Sequence, residues 1–152
     1  SSVLKKLQKD SPGFNDLLDI QSILLAFSEH EEAFKIFAEV QLFIRQNKRT
    51  QAISKLSELF KIENDFIKDV ALFQCAYIEL LQGNPQQSII HLQELSNVSI
   101  FSELGKILLA EIYDVVLLEA GTAIDIYLQF LEEYPLSIYY DDIRLRLREL
   151  AS

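Results

Sequence analysis

Residues that could do chemistry are few in this chain and widely scattered. His30 falls in a break between two helical patterns, and His91 lies on a helical pattern near Glu94, about 60 residues further on. A bound metal needs convergent ligands, and neither histidine brings a second ligand with it. Cys75 sits mid-pattern between Phe73 and Ala76. A thiolate nucleophile wants a positive charge or a helix N-terminus beside it, whereas a thiol in such apolar company behaves as a small hydrophobe. Carboxylates occur as Glu31-Glu32, Glu132-Glu133 and Asp141-Asp142. Acid–base work on a glycoside needs two carboxylates facing each other across a cleft, and nothing in this spacing makes one. Asp141 and Asp142 fit the first turn of a helix, where the dipole favours negative charge, and Glu132-Glu133 fits a solvated face. Gly-rich phosphate loops and Ser-centred nucleophile elbows are absent. The chain therefore reads as non-enzymatic, with no cofactor and no metal.

Composition narrows the class further. The chain has 152 residues, 49% of them hydrophobic, with 4 Gly and 3 Pro. That is enough apolar material for a continuous core and too few breakers for a turn-rich β-sandwich. The formal net charge of −9 argues against nucleic acid, which demands clustered Lys and Arg. Basic residues gather as Lys5, Lys6, Lys9 and as Arg144, Arg146, Arg148; the second group suits the C-terminal end of a helix dipole. No apolar run approaches the ~18 residues of a membrane span. A single cysteine excludes an internal disulfide and fits cytoplasm or periplasm. Ser1-Ser2-Val3-Leu4-Lys5 is not a signal peptide, and with no Met anywhere the chain is expected to be a processed product or a piece of something longer.

Apolar spacing near 3.6 predicts helices over 15–27, 31–46, 50–61, 65–82, 85–96, 99–119, 121–134 and 139–150. No stretch alternates with a period of two for long enough to be a strand. Residues 1–13 form a polar N-terminal segment closed by Ser11-Pro12-Gly13. Gly83 is expected to end a helix in the left-handed region. Asn84 then supplies an N-cap oxygen, with Pro85 at the first helical position. Ala120-Gly121 is expected to turn, Pro135 to stop a helix, and Ser137 to cap the last one. The run 107–118 is apolar nearly all round, broken by Glu111 and Asp114, and so is either central or part of an interface. Central burial is the favoured expectation.

An internal repeat organises these helices. Ala52, Ser88 and Ala123 open alternate helices at spacings of 36 and 35. Each is followed at fixed offsets by Ile53, Ile89, Ile124, then Leu56, Leu92, Tyr127, then Leu59, Leu95, Phe130. In the preceding helices Phe37 matches Phe73 and Val40 matches Ala76; Ala110 fits the third copy if its turn is one residue longer. A period near 35 with two helices per unit is a solenoid signature, in which hairpins bury their apolar faces against each other.

The chain here resembles tetratricopeptide-repeat (TPR) proteins. The stretch from Ala123 to Pro135 is similar to the second helix of such a repeat, and Gly83-Asn84-Pro85-Gln86-Gln87-Ser88-Ile89 is similar to its inter-helix turn. The whole resembles the C-terminal repeat region of long bacterial, Bacteroidetes-like repeat proteins. Ser88 stands where the family has Ala, Asn47 where it has a turn Gly, and the family's Trp is absent. The resemblance implies an all-α fold: a right-handed α-solenoid of antiparallel helix hairpins in one domain, 14–152. Repeats would cover 31–62, 65–97 and 99–135, with an extra N-terminal helix and a capping helix over 138–150. Another α-solenoid class stays open.

In that family, ligand contacts come from the first helix of each pair. The matching positions are Phe37, Gln41, Ile44, Arg45, Phe73, Tyr77 and Leu80, with Leu108 and Ile112 in the third copy. The implied function is a scaffold holding a protein or peptide in a concave groove, with apolar anchors and a polar handle from Arg45, Gln41 or Tyr77. The alternative is a structural role: a C-terminal cap or oligomerisation segment of a longer array, in an envelope-associated assembly factor. If neighbouring helices bury the groove side chains, the groove reading loses its basis.

Overall fold

The computed structural model describes residues 20–97 and 99–152, and their regular structure is entirely helical. The helices are α1 (Ile20–Ser28), α2 (Glu31–Arg45), α3 (Arg49–Ser57), α4 (Asp65–Leu81), α5 (Pro85–Gln93), α6 (Ile100–Glu111), α7 (Ala120–Glu133) and α8 (Tyr140–Ala151). A 3₁₀ turn, Glu58–Lys61, extends α3, and a π turn, Ile112–Val116, extends α6. The expected N-terminal segment 1–13 and the start of the first helix lie outside the described residues.

Three pairs form by the same local chemistry. Helix α2 carries Glu31 and Glu32 in its first turn and Arg45 in its last, the polarity its dipole favours. It ends on Asn47 at φ 60°, and α4 ends on Gly83 at φ +79°. At the first site Asn47 N donates to the Ile44 carbonyl (3.0 Å) and Lys48 N to the Phe43 carbonyl (2.8 Å). At the second, Gly83 N donates to Leu80 (3.1 Å) and Asn84 N to Glu79 (2.9 Å). Both are Schellman closures, which satisfy the orphan carbonyls of a helix end. Five residues after each left-handed residue comes the small one. Ala52 N donates to the Lys48 carbonyl and Ser88 N to the Asn84 carbonyl. Ala52, Ser88 and Ala123 are all fully buried, and the Ser88 hydroxyl donates to the Ala76 carbonyl across the pair at 2.8 Å.

The third pair repeats this with two differences. Its left-handed residue is Leu118, at φ 56°, five before Ala123. Ala120 and Gly121, expected to turn, instead form the first turn of α7. The anticipated extra residue is taken up inside the helix rather than in the turn. Leu117 N donates to Ile112 (2.9 Å), and Glu119 N reaches back six residues to the Tyr113 carbonyl (2.7 Å), one more than Lys48 and Asn84 do. Leu118 is 79% exposed, so its side chain gains little burial in return for a conformation that costs an L-residue about 1–2 kcal/mol. Leu118→Gly is expected to raise stability by about 0.5–1 kcal/mol, the strain relieved less the chain entropy of Gly, read as a higher urea midpoint. No gain would show that the leucine is held by a contact worth the strain.

Other expectations shift by a turn or less. The Asn84 side chain does not cap α5; its Nδ2 donates to Glu79 Oε2 at 3.0 Å, tying the turn to the end of α4. Helix α5 stops at Gln93, three residues short of Ser96, because Asp69 claims the following segment. That buried carboxylate accepts from Ser96 N (2.9 Å), Ser96 Oγ (2.5 Å) and Ser99 Oγ (2.6 Å). Ser99 in turn caps α6 through a reciprocal box with Ser102. Ser137 does not cap α8 directly; its Oγ accepts from Tyr139 N at 3.0 Å, one residue ahead of the helix.

Helix α4 is the centre of the molecule. Every residue from Asp69 to Glu79 is buried, and α1, α3, α5 and α6 all touch it. Aromatic rings fill its flanks: Phe66 and Phe73 each lie 5.6 Å from the Phe101 ring. The run 107–118 is central only in part. Ile107, Leu108, Ala110 and Ile112 are buried, but Val115 is 50% exposed and Val116 40%. α8 rests on α7, with Ile143 buried and its charged residues Asp141, Asp142, Arg144 and Arg148 exposed.

Candidate partner-binding surface

The positions singled out as groove lining divide sharply by depth. On α2, Arg45 is exposed, while Gln41, Ile44 and Phe37 are half-buried. Phe37 is covered by α1, its ring 4.8 Å from that of the fully buried Phe27. Gln41 faces α4 and exchanges amide hydrogen bonds with Gln74: Gln41 Nε2 to Oε1 at 3.2 Å and the reverse at 3.4 Å. On α4, Phe73 is fully buried and Tyr77 is 6% exposed. Neither offers a surface to a partner, which corrects their assignment as groove contacts. Burial also pushes the Tyr77 phenol above its ordinary range, against the pull of Arg49. Leu80, near the helix end, is half-buried. The third-copy positions Leu108 and Ile112 are fully buried and are corrected likewise. Both α1 and α6 pack against α4.

What stays open lies at the rim. Arg45 and Ile44 are joined on α2 by Leu42, 46% exposed, and Phe34, 42% exposed. A separate groove of about 550 Å³ runs between α5, α6 and the end of α7, with Leu92, Leu95, Leu109 and Tyr134 in its wall. The Lys106 ammonium and Glu133 carboxylate, 3.1 Å apart, close one side of it.

The reactive residue types are all engaged in packing. Cys75 is fully buried, and burial, with Glu79 nearby, pushes its thiol up to about 12, so at neutral pH it is a thiol and a poor nucleophile. His91 lies against the Phe60 ring at 5.9 Å, and burial lowers its pKa against the opposing pull of Glu79 and Glu94. His30 pairs with the Asn64 side chain at 3.4 Å. Among the described residues, no group of three His, Cys, Asp or Glu side chains is placed to hold a metal. No helix there is long and apolar enough to cross a membrane.

The strongest polar constellation was not foreseen as a unit. Asp114, 6% exposed, accepts from Tyr127 Oη at 2.9 Å and takes a two-pronged bond from Arg146, Nε to Oδ2 and Nη2 to Oδ1, each 2.7 Å. The guanidinium holds the Asp114 carboxyl below the usual range against the opposing effect of burial. Burial and the Asp114 hydrogen bond push the Tyr127 phenol far up. Arg146, expected only to complement a helix dipole, instead fastens α8 to the π turn, and its Nη1 also meets Glu149 at 2.9 Å. The signal in the sequence was Asp114 itself, an acid interrupting an apolar run. Every buried side-chain nitrogen and oxygen among the described residues has a partner of this internal kind. Comparison with protein-family models, with curated proteins and with solved structures finds no match for this chain.

Proposed function

We propose that the chain is a non-enzymatic scaffold of the tetratricopeptide kind: three antiparallel hairpins stacked as a right-handed α-solenoid, with α8 closing the last, that binds a protein or peptide partner. The observation that carries this reading is the recurrence of one joint. A left-handed residue (Asn47, Gly83, Leu118) is followed five positions later by a fully buried small residue (Ala52, Ser88, Ala123), at spacings of 36 and 35. A joint repeated at that period belongs to architectures whose units stack on their neighbours. Such stacks work by presenting side chains along a face, and the chemistry of this one favours packing over reaction, since its thiol, histidines and buried acids are spent on internal contacts. The partner surface is the exposed rim of α2, with Arg45 as the polar handle and Ile44 and Leu42 as apolar contacts. An acidic-and-apolar helix or extended peptide suits it, and the net charge of −9 disfavours nucleic acid.

Affinity capture from cell extract with tagged protein tests this. The wild type is expected to retain a protein that the Leu42→Ser/Arg45→Glu double variant, at two exposed positions, recovers about tenfold less well, as for an interface anchor, with its melting curve little changed. Equal recovery by both counts against the α2 rim. No retained protein at all counts against the scaffold reading.

A further inference from the structure

The third pair differs from the other two by one residue, and that residue has a consequence at the far end of the chain. Counted forward from the matched positions Val40, Ala76 and Ala110, Asp114 occupies the place of Ile44 and Leu80. Counted back from the left-handed residues Asn47, Gly83 and Leu118, it occupies the place of Phe43 and Glu79. It holds both addresses because the π turn Ile112–Val116 absorbs the extra residue between them. One residue is about 100° of helix rotation, enough to change which neighbour a side chain meets. Ile44 and Leu80 are half-buried positions, while Glu79 is buried and reaches forward to its turn through Asn84. Asp114 likewise reaches forward, to Tyr127 of α7 and Arg146 of α8.

We propose that the inserted residue is a register device: it aims Asp114 at the closing helix, so that docking of α8 depends on the π turn. Ile143 is its one buried apolar residue, while Tyr139, Leu147 and Leu150 are packed but partly exposed. Its other ion pairs, Arg144 with Asp141 and Arg146 with Glu149, are internal to the helix. The two-pronged Arg146–Asp114 bond ties α8 to the π turn. A carboxylate one residue out of register would leave the guanidinium to water and the acid to a poorly matched site. The device is independent of which partner the scaffold binds.

The test is hydrogen exchange over residues 140–151, compared with α2–α5 as an internal reference. Deleting Val115 restores the spacing of the other two pairs. It is expected to speed exchange of α8 about tenfold or more, as a locally released element does, while α2–α5 keep their protection. Arg146→Met is expected to do the same alone and to add nothing in the deletion background, the signature of two changes acting through one contact. Wild-type protection of α8 in the deletion variant, or an undiminished Arg146→Met effect in it, overturns the proposal. Should the deletion variant not fold, the exchange Asp114→Val/Val115→Asp keeps chain length and moves the acid by one position. Release of α8 in that variant supports the device, and retained protection overturns it.

Discussion

Phe73→Ala is expected to cost about 3–5 kcal/mol of folding stability, the range for removing a fully buried phenylalanine ring. The ring is at 0% exposure in the middle of α4, against Phe101 of α6. Truncation leaves a cavity between two helices that meet along this line, and Cys75 and Ala76 on the same helix are too small to fill it. The contrast is Arg45→Ala on α2, an exposed position, expected to stay within about 0.5 kcal/mol. Urea denaturation of the two variants measures both. The pair separates core from surface among residues that a groove reading treats alike. A loss below about 1 kcal/mol for Phe73→Ala would return that ring to the list of partner contacts.

The second large effect lies at Asp114. Arg146→Met keeps an apolar stem but removes the guanidinium, leaving the buried carboxylate with the hydrogen bond from Tyr127 Oη. Removing one partner of a fully buried ion pair costs about 3–5 kcal/mol, an upper bound for this pair. Arg146 is itself 40% exposed, so water replaces part of the interaction and about 2–3 kcal/mol is expected. The sign of the pH dependence follows from the depressed Asp114 pKa. A carboxyl whose folded pKa lies below its unfolded value, about 3.9 for Asp, contributes stability that is fully present above that value. The contribution is lost as pH falls through the lower folded pKa. In the variant the shift supplied by the guanidinium disappears, and burial pushes the carboxyl up against the remaining Tyr127 hydrogen bond. The gap between wild type and Arg146→Met is therefore expected to be full at pH 7, to begin closing above about pH 4 as the variant's raised carboxyl takes up its proton, and to go on closing below that as the wild-type carboxyl does. Denaturation at pH 7, 5, 4 and 3 checks it. A gap unchanged across that range would mean that lost packing by the arginine stem, not its charge, carries the effect.

Both predictions touch residues whose types were plain in the sequence and whose roles were not. Phe73 fits equally a groove anchor and a core ring, because periodicity reports which face of a helix is apolar and not what covers that face. Covering depends on α1 and α6, whose approach to α4 is set by packing between distant segments. Asp114 was visible as a break in an apolar run, and Arg146 as one of three spaced arginines. Their union needed α7 and α8 to fold back over the π turn, 32 residues apart in sequence. Asp69 followed the same rule, ending α5 early by holding Ser96 and Ser99 from another helix.

The sequence by itself determined the all-helical class, the ends of α2 and α4 to within a residue, the left-handed Gly83, and the recurrence of Ala52, Ser88 and Ala123 near the start of alternate helices. These follow from 3.6-residue periodicity, from the conformational freedom of glycine, and from a period near 35, all of which act locally or by repetition. Tertiary structure alone decided which apolar faces were roofed, that the third left-handed position fell on Leu118 rather than Gly121, and that the extra residue entered a helix instead of a turn. The physical reason is that each of these is a competition. A strained leucine and a π turn are locally unfavourable, and they persist because the five-residue joint to Ala123 and the docking of α8 through Asp114 gain more than the strain costs.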